Sequence, residues 1–550
     1  MQGVVAAMTG GLQAVAHHHH QPALLYLLVP AALLLLLHFM ATRRRRRSSN
    51  DNGNKHHHQL PWPPSPPGRL PIIGHLHLVG SRPHVSLRDL AARHGRGGLL
   101  LLRLGAVPNL VASSPRAAEA VLRTHDYAFA SRATTSVSDG LLYGSSDIGF
   151  APYGHHWRQA RKLVTTHLFT ASKVRAYRGA RAEEVRLVIA KIRREAAAAA
   201  AVDMSEAMNS FANDVISRAV SGKFFRAEGR NKLFRELVET ITRLVGGFNL
   251  LEDYFPALAA SLTTTRWLRF LRLGNSKAIA EAHRRWDELL ETILCDHETK
   301  NNSMHRRHGD GGQGDFTDVL LSVQHEYGGI TRDHVKAILM DMFGAGTDTS
   351  SLTLELALAE LMRNPRQRAK LQDEVRKHTP EGQEMVEEEN LGSMPYLRAV
   401  VKETLRLHPP APLLLPHLSM ADCVVEGYSV PSGTRVTVNA WAIGRDPEAW
   451  EKPEEFMPER FMDGGSAAAV DFRGNDFQLL PFGAGRRICP GLNFGVATVE
   501  IMLANLMHCF DWQLPVGMEE KDIDTTEALF GLTMHPKQKL MLVPKLRGGT

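Results

Sequence analysis

The 550-residue chain carries a formal net charge of +7, but Arg43 to Arg47 supply five of those charges and leave +7 − 5 = +2 for everything else. Nucleic-acid binding therefore has little support. The four cysteines, Cys295, Cys423, Cys489 and Cys509, are widely spaced and form no CxxC pair. That argues against a disulfide framework and a zinc site, and for a reducing compartment.

Nothing in the chain repeats, and no long linker divides it beyond roughly the first sixty residues, so one large catalytic domain behind a tail is the simplest organisation. From Ala23 to Ala41 the sequence is apolar except for Tyr26, Pro30 and His38. That is the length of a membrane-spanning helix, expected over about 23–41. No Lys or Arg precedes it and five Arg follow, which puts the carboxyl side in the cytosol. A secretory signal peptide has the reverse order. The runs His17 to His20 and His56 to His58 receive no role. Pro61-Trp62-Pro63-Pro64-Ser65-Pro66-Pro67-Gly68 is too rich in proline for a helix and reads as a stiff extended stretch, either a spacer or a ligand for a proline-binding module. The expected divisions are a tail and anchor over 1–42, a basic and proline-rich linker over 43–70, and the catalytic domain over 71–550.

Strand-like runs at Gly98 to Leu104 and Asn109 to Ala112 predict a small sheet, after which helices dominate. Trp157-Arg158-Gln159-Ala160-Arg161-Lys162 opens an amphipathic helix with Trp157 and Arg161 on one face. On its own this is a solvated basic face with a packed tryptophan. The alanine run Ala196 to Ala201 suits a helix, and Asn301 to Asp315 reads as an exposed loop. A helical pattern then runs from about His334 to Asn364, roughly 45 Å at 1.5 Å per residue. In its middle lies Gly344-Ala345-Gly346-Thr347-Asp348-Thr349-Ser350, poor helix-forming sequence where burial should be deepest. Glu403-Thr404-Leu405-Arg406 places an acid and a base three residues apart on a further helix.

The last signal is Pro481-Phe482-Gly483-Ala484-Gly485-Arg486-Arg487-Ile488-Cys489-Pro490-Gly491. Glycines before Cys489 permit a tight turn, and Gly491 permits close approach to a flat ligand. Pro490 fits the first position of a helix continued by Leu492 to Phe510, which puts Cys489 at the helix's positive end, where a thiolate is favoured. A glycine-flanked cysteine equally suits a turn before a buried helix. Phe482, Gly485, Arg487, Cys489 and Gly491 together, however, resemble the haem-ligand loop of the cytochromes P-450.

That resemblance spans about Pro61 to the C-terminus and covers motifs in the family's order. It implies a mainly α fold with a small β-sheet behind one N-terminal transmembrane helix. It makes Cys489 the iron ligand of haem b, with Phe482 and Gly491 beside it. Trp157, Arg161 and Arg487 would bind the propionates, and His417 falls where the family places a propionate-binding Arg or His. Asp348 and Thr349 match the acid-alcohol pair that delivers protons for O–O cleavage, and an opened helix there would leave the Thr349 hydroxyl free. Glu403 and Arg406 with Arg460 of Pro458-Glu459-Arg460-Phe461 match a structural cluster. The substrate pocket would be lined by Ile148, Phe150, Phe343, Ala345, Leu413, Leu414, Phe530 and Leu532, which are largely apolar and select a lipophilic molecule by shape. The proline stretch resembles the hinge that orients the catalytic domain on the membrane.

The implied activity is insertion of one oxygen atom of O2 into a C–H or C=C bond, as in the plant microsomal enzymes of specialised metabolism acting on terpenoids, indole-derived compounds or phenylpropanoids. Electrons must come from NADPH through a separate reductase, since the chain has no GxGxxG unit of its own. Arg158, Lys162 and Arg486 are candidates for the surface that meets it. The expected protein is a monomeric catalytic unit, single-pass in the endoplasmic reticulum membrane and facing the cytosol. A haem-thiolate isomerase or dehydratase and a non-enzymatic haem sensor would use the same cysteine loop, but neither needs Asp348 and Thr349.

Overall fold

The computed structural model describes residues 60–222, 230–245, 251–255, 273–305, 315–327, 329–526 and 528–547. The chain divides into two units, 1–61 and 62–550. The expected transmembrane helix over 23–41 lies outside the described residues.

Alternation of buried and half-buried leucines makes β1 (Leu99–Leu104) a strand with one face in the core, and it pairs antiparallel with β2 (Val107–Ala112) across Gly105, whose φ of +60° closes the turn. β3 (His417–Leu418) and β4 (Arg435–Val438) complete a four-stranded sheet in the order β1-β2-β4-β3, with β2 and β4 parallel. The backbone N–H of Leu101 donates to Pro64 O at 2.7 Å, so the proline stretch docks on this sheet. A hairpin of β5 (Ala528–Phe530) and β6 (Met534–Pro536) lies near the C-terminus.

The rest is mainly helical. α1 (His155–Val164) carries Trp157 and Arg161. α2 (Met204–Ser221) lies along α4 (Arg332–Arg363), and α3 (Arg230–Val245) also touches it. α4 starts on a capping box, in which Thr331 Oγ1 accepts from His334 N–H at 3.2 Å. It runs unbroken for 32 residues, buried almost throughout. The expected opening at Gly344 to Ser350 does not occur. The glycines there serve packing instead: a Cβ on Gly346 would lie 2.6 Å from Ile216 Cγ1 of α2. Two further expectations are corrected. The helix Leu273–His305 runs into the predicted loop 301–315, and the helix Arg178–Ala197 ends inside the alanine run, where Ala199 has a φ of +48°.

α5 (Pro395–Leu407) brings Glu403 and Arg406 together, with Arg406 Nε donating to Glu403 Oε2 at 2.7 Å and Nη2 to Oε1 at 2.8 Å. Arg460 Nε reaches Glu403 Oε1 at 3.1 Å, and all three side chains are fully buried. The remaining guanidinium donors meet carbonyls of Gly444, Pro453 and Glu451, which offsets the cost of burying the charges. α6 (Leu492–Cys509) starts two residues later than the sequence suggests, with Gly491 at its N-cap. Among the described residues it alone is long and apolar enough to cross a membrane, and it is largely buried inside the fold.

Candidate active site

Two residues are exposed where their chain neighbours are buried or half-buried. One is Ala345, in the middle of α4; the other is Cys489, just before α6. α6 packs on α4, and a Cβ on Gly495, one turn past Gly491, would meet Ser350 Oγ at 3.8 Å. A Cβ on Gly344 would meet nothing within 4 Å. Cys489 is surrounded by protein yet keeps accessible surface, so it borders interior space, and Ala345 stands exposed on the helix packed against α6.

The loop before Cys489 depends on backbone that only glycine adopts freely. Gly483 and Gly485 both have φ of +67°, and a Cβ on Gly485 would sit 2.2 Å from Leu122 O. Cys489 N–H donates to Phe482 O at 2.9 Å and closes the turn. Burial pushes the Cys489 thiol up, while the backbone amide of Gly491, the Arg161 charge and the amide of Leu492 pull it down. Burial outweighs them and the net shift is upward, but the two amides and the Arg161 charge are the groups that would favour the thiolate an iron ligand must be.

Around this loop the structure gathers the cations that the sequence singled out. The Arg487 guanidinium lies 4.1 Å over the Trp157 ring, and Arg161 donates to Ile488 O. Of the five N–H groups of Arg487, three donate to Ala130 O at 2.7 Å, Ala151 O at 2.7 Å and Ile148 O at 3.2 Å. Burial pushes Arg487 down to about 10, so it stays charged at neutral pH. The Trp157 indole is not free as expected, since its N–H donates to Ile148 O at 3.0 Å. His417 is buried against Phe129 O at 2.7 Å; burial and then Arg132 push it well down, so it is neutral.

On α4 the Thr349 hydroxyl donates to Ala345 O at 2.7 Å, the ordinary bond of a helical threonine, because the helix stays closed. Asp348 accepts from the Thr533 hydroxyl and pairs with His535 Nε2 at 2.9 Å. Burial lowers the His535 pKa, but Asp348 outweighs it and the net shift is upward. Nothing in the spacing of Met534-His535-Pro536 announces this partner. Asp147, Arg132 and Asp341, which close the segment around Ile148, were equally without a motif.

The expected pocket residues separate. Ala345 is exposed and Phe150, Leu414 and Leu532 are half-buried. Phe343 turns away into the core, fully buried with its ring 4.6 Å from Phe234, and Leu413 packs in a separate cluster with Leu87 and Leu100. Ile148 is buried and contributes its backbone, while the Phe530 side chain lies outside the described residues. Arg486 is not a free surface cation: its Nε pairs with Asp126 Oδ2 at 2.7 Å and its Nη1 donates to the Tyr153 hydroxyl at 2.9 Å.

An accessible thiol, amides directed at its sulfur, and cations with donors to spare fit an iron porphyrin carrying carboxylates. The model of the family described as "Cytochrome P450" matches residues 63–543. The chain belongs to the cytochrome P450 family. It is 55% identical over 482 residues to indole-2-monooxygenase of Zea mays, covering 88% of this chain and 87% of that protein. It is 53% identical over 499 residues to indolin-2-one monooxygenase of Zea mays, covering 89% and 90%. A solved zebra fish cytochrome P450 with progesterone superposes with a TM-score of 0.68 at 26% identity, over 85% of this chain and all of that one. This cytochrome P450 is a haem-thiolate monooxygenase with haem b as cofactor and O2 as co-substrate, drawing NADPH electrons through a reductase to oxidise a small lipophilic molecule. The readings as an isomerase, a dehydratase or a haem sensor are set aside.

Proposed function

We propose that this cytochrome P450 hydroxylates a bicyclic indole-type substrate, on the strength of relatives whose names specify indole and indolin-2-one. The substrate would lie beside the exposed Ala345, as a flat heteroaromatic held by shape. Cys489 is the iron ligand, and Arg161 and Arg487 hold the propionates with the N–H groups they have left. Trp157 acts indirectly, as the ring on which Arg487 rests. Haem b supplies iron-centred activation of O2, and thiolate ligation favours O–O cleavage. His535, paired with Asp348, holds the proton that Asp348 hands on toward the Thr349 hydroxyl; that hydroxyl accepts on its oxygen and must leave Ala345 O to pass its own proton onward. Glu403, Arg406 and Arg460 hold the cysteine side together. His417, neutral and bound to a carbonyl, supports the sheet edge near the propionates. Residues 23–41 anchor the protein in the endoplasmic reticulum membrane with the domain in the cytosol, 43–70 is the linker, and Arg158 and Lys162 meet the reductase.

The test is turnover by microsomes holding this protein and an NADPH-dependent reductase, offered indole, indolin-2-one and a sesquiterpene separately. Gain of one oxygen atom by an indole-type compound is the expected result. Oxidation of the sesquiterpene alone would overturn the substrate class.

A further inference from the structure

The segment Asp147 to Ala151 belongs to no helix or strand, yet most of its backbone polar groups are bound. Ile148 N–H and Gly149 N–H donate to Asp341 Oδ2 of α4 at 2.6 and 3.0 Å, and Phe150 N–H donates to Asp147 Oδ2 at 2.8 Å. The carbonyls face side-chain donors, mostly cations: Ile148 O accepts from Trp157 and Arg487, Gly149 O from Arg132 Nε at 3.2 Å, and Ala151 O from Arg487. Asp341 stands one turn before Ala345, so this segment is tied to the helix that borders the cavity.

Asp147 is completely buried, and its Oδ1 has no donor among the described residues. It faces the Asp341 carboxyl, and a Cβ on Gly149 would lie 3.3 Å from Asp147 Oδ2 and 3.8 Å from Asp341 Oδ1. Two carboxylates cannot satisfy each other, because both only accept; one proton between them satisfies both. We propose that Asp147 and Asp341 share one proton, and that this pair is the positioning device that holds segment 147–151 against α4 as a wall of the substrate pocket. The proposal rests on the reading of that segment as a pocket wall.

Burial, then the neighbouring Asp341 charge, pushes Asp147 well up, and burial pushes Asp341 up to about 6. Arg132 and Arg487 are the cations that face Asp147. From α1, His156 bonds Ser146 O at 2.7 Å and stacks near His334 at 4.2 Å, so the preceding residue is held by a separate contact. Between the pair's two titrations, above about 6, one proton is shared and the segment is clamped. As pH rises through the upper titration, loss of that proton leaves two buried like charges, and the clamp weakens.

Asp147→Asn keeps the geometry without the proton, because its amide donates to Asp341 while its oxygen still accepts from Phe150. Asp341→Ala removes the acceptor of two backbone amides. The experiment measures hydrogen-exchange protection factors of Ile148 and Gly149, and the spectral dissociation constant for indole, across neutral pH. Wild-type protection should fall with rising pH and indole binding should weaken about tenfold, a difference of about 1.4 kcal/mol. Asp147→Asn should hold the low-pH values throughout, and Asp341→Ala should lose protection at every pH. A wild-type pH profile in Asp147→Asn overturns the shared proton, and this arm decides the matter even if Asp341→Ala fails to fold. Protection that follows the pair while indole affinity stays constant overturns the segment's role as a pocket wall, and with it the positioning role.

Discussion

Gly485 shows how little freedom the cysteine loop has. Its φ of +67° costs an L-residue roughly 1–2 kcal/mol, and its Cβ would lie 2.2 Å from Leu122 O, a backbone atom that cannot swing aside. Gly485→Ala should therefore lose most bound haem, read as the red-shifted band of the reduced carbon monoxide complex per mole of protein. Gly433→Ala, at φ +79° with nothing within 4 Å, carries strain without collision and should retain haem. Equal retention in both would show that the loop tolerates a side chain. This glycine was legible because spacing and chemistry act within ten residues of one another. Asp348 was legible as a functional acid but its partner His535 was not, since 187 positions separate them and only the β5–β6 hairpin brings them together.

Within α4 the same composition carries an opposite lesson. Glycine and threonine in the middle of a helix lower its intrinsic stability, so the sequence favours an opening. Packing overrides propensity here, because Gly346 lets α2 approach to a distance that no side chain would permit. Gly346→Ala should cost about 1–3 kcal/mol by overpacking against Ile216, despite the better helix propensity of alanine. In an Ile216→Ala background the clash is gone, and the same substitution should become stabilising by up to about 1 kcal/mol. Thermal unfolding of the four combinations gives the sign, and a destabilisation independent of residue 216 would contradict the packing account. The pocket is the element-scale miss. Phe343 and Ala345 are neighbours in sequence, but two steps of 100° around a helix send one into the core beside Phe234 and leave the other open.

Across the whole chain, the unit 62–550 holds its own core, including the one described helix apolar enough to span a bilayer. Membrane attachment by that helix would require turning the core inside out. Deletion of residues 1–42 should accordingly leave the carbon monoxide spectrum unchanged while moving the protein from the membrane pellet to the supernatant. A truncated protein still in the pellet would point to a second attachment surface on the domain. The architecture was readable from sequence to the extent that each motif lay on one element: β1, β2, α1, α4 and α6 stand within a few residues of expectation, and Glu403 and Arg406 lie on a helix as expected. Unreadable were the joints between elements, because Asp341, Arg132 and Arg487 meet segment 147–151 from three places and none of them carries a local pattern pointing to it.

Those joints also bear on how such an enzyme changes its diet over evolutionary time. Every substitution that reshapes the backbone of segment 147–151 disturbs Arg487 and Trp157 as well, since both hold Ile148 O. Variation there is taxed twice, once in selectivity and once in cofactor retention. Leu532 is not tied to the cofactor loop in this way, so descendants with new substrates should have accumulated their differences there, leaving the clamped segment nearly frozen.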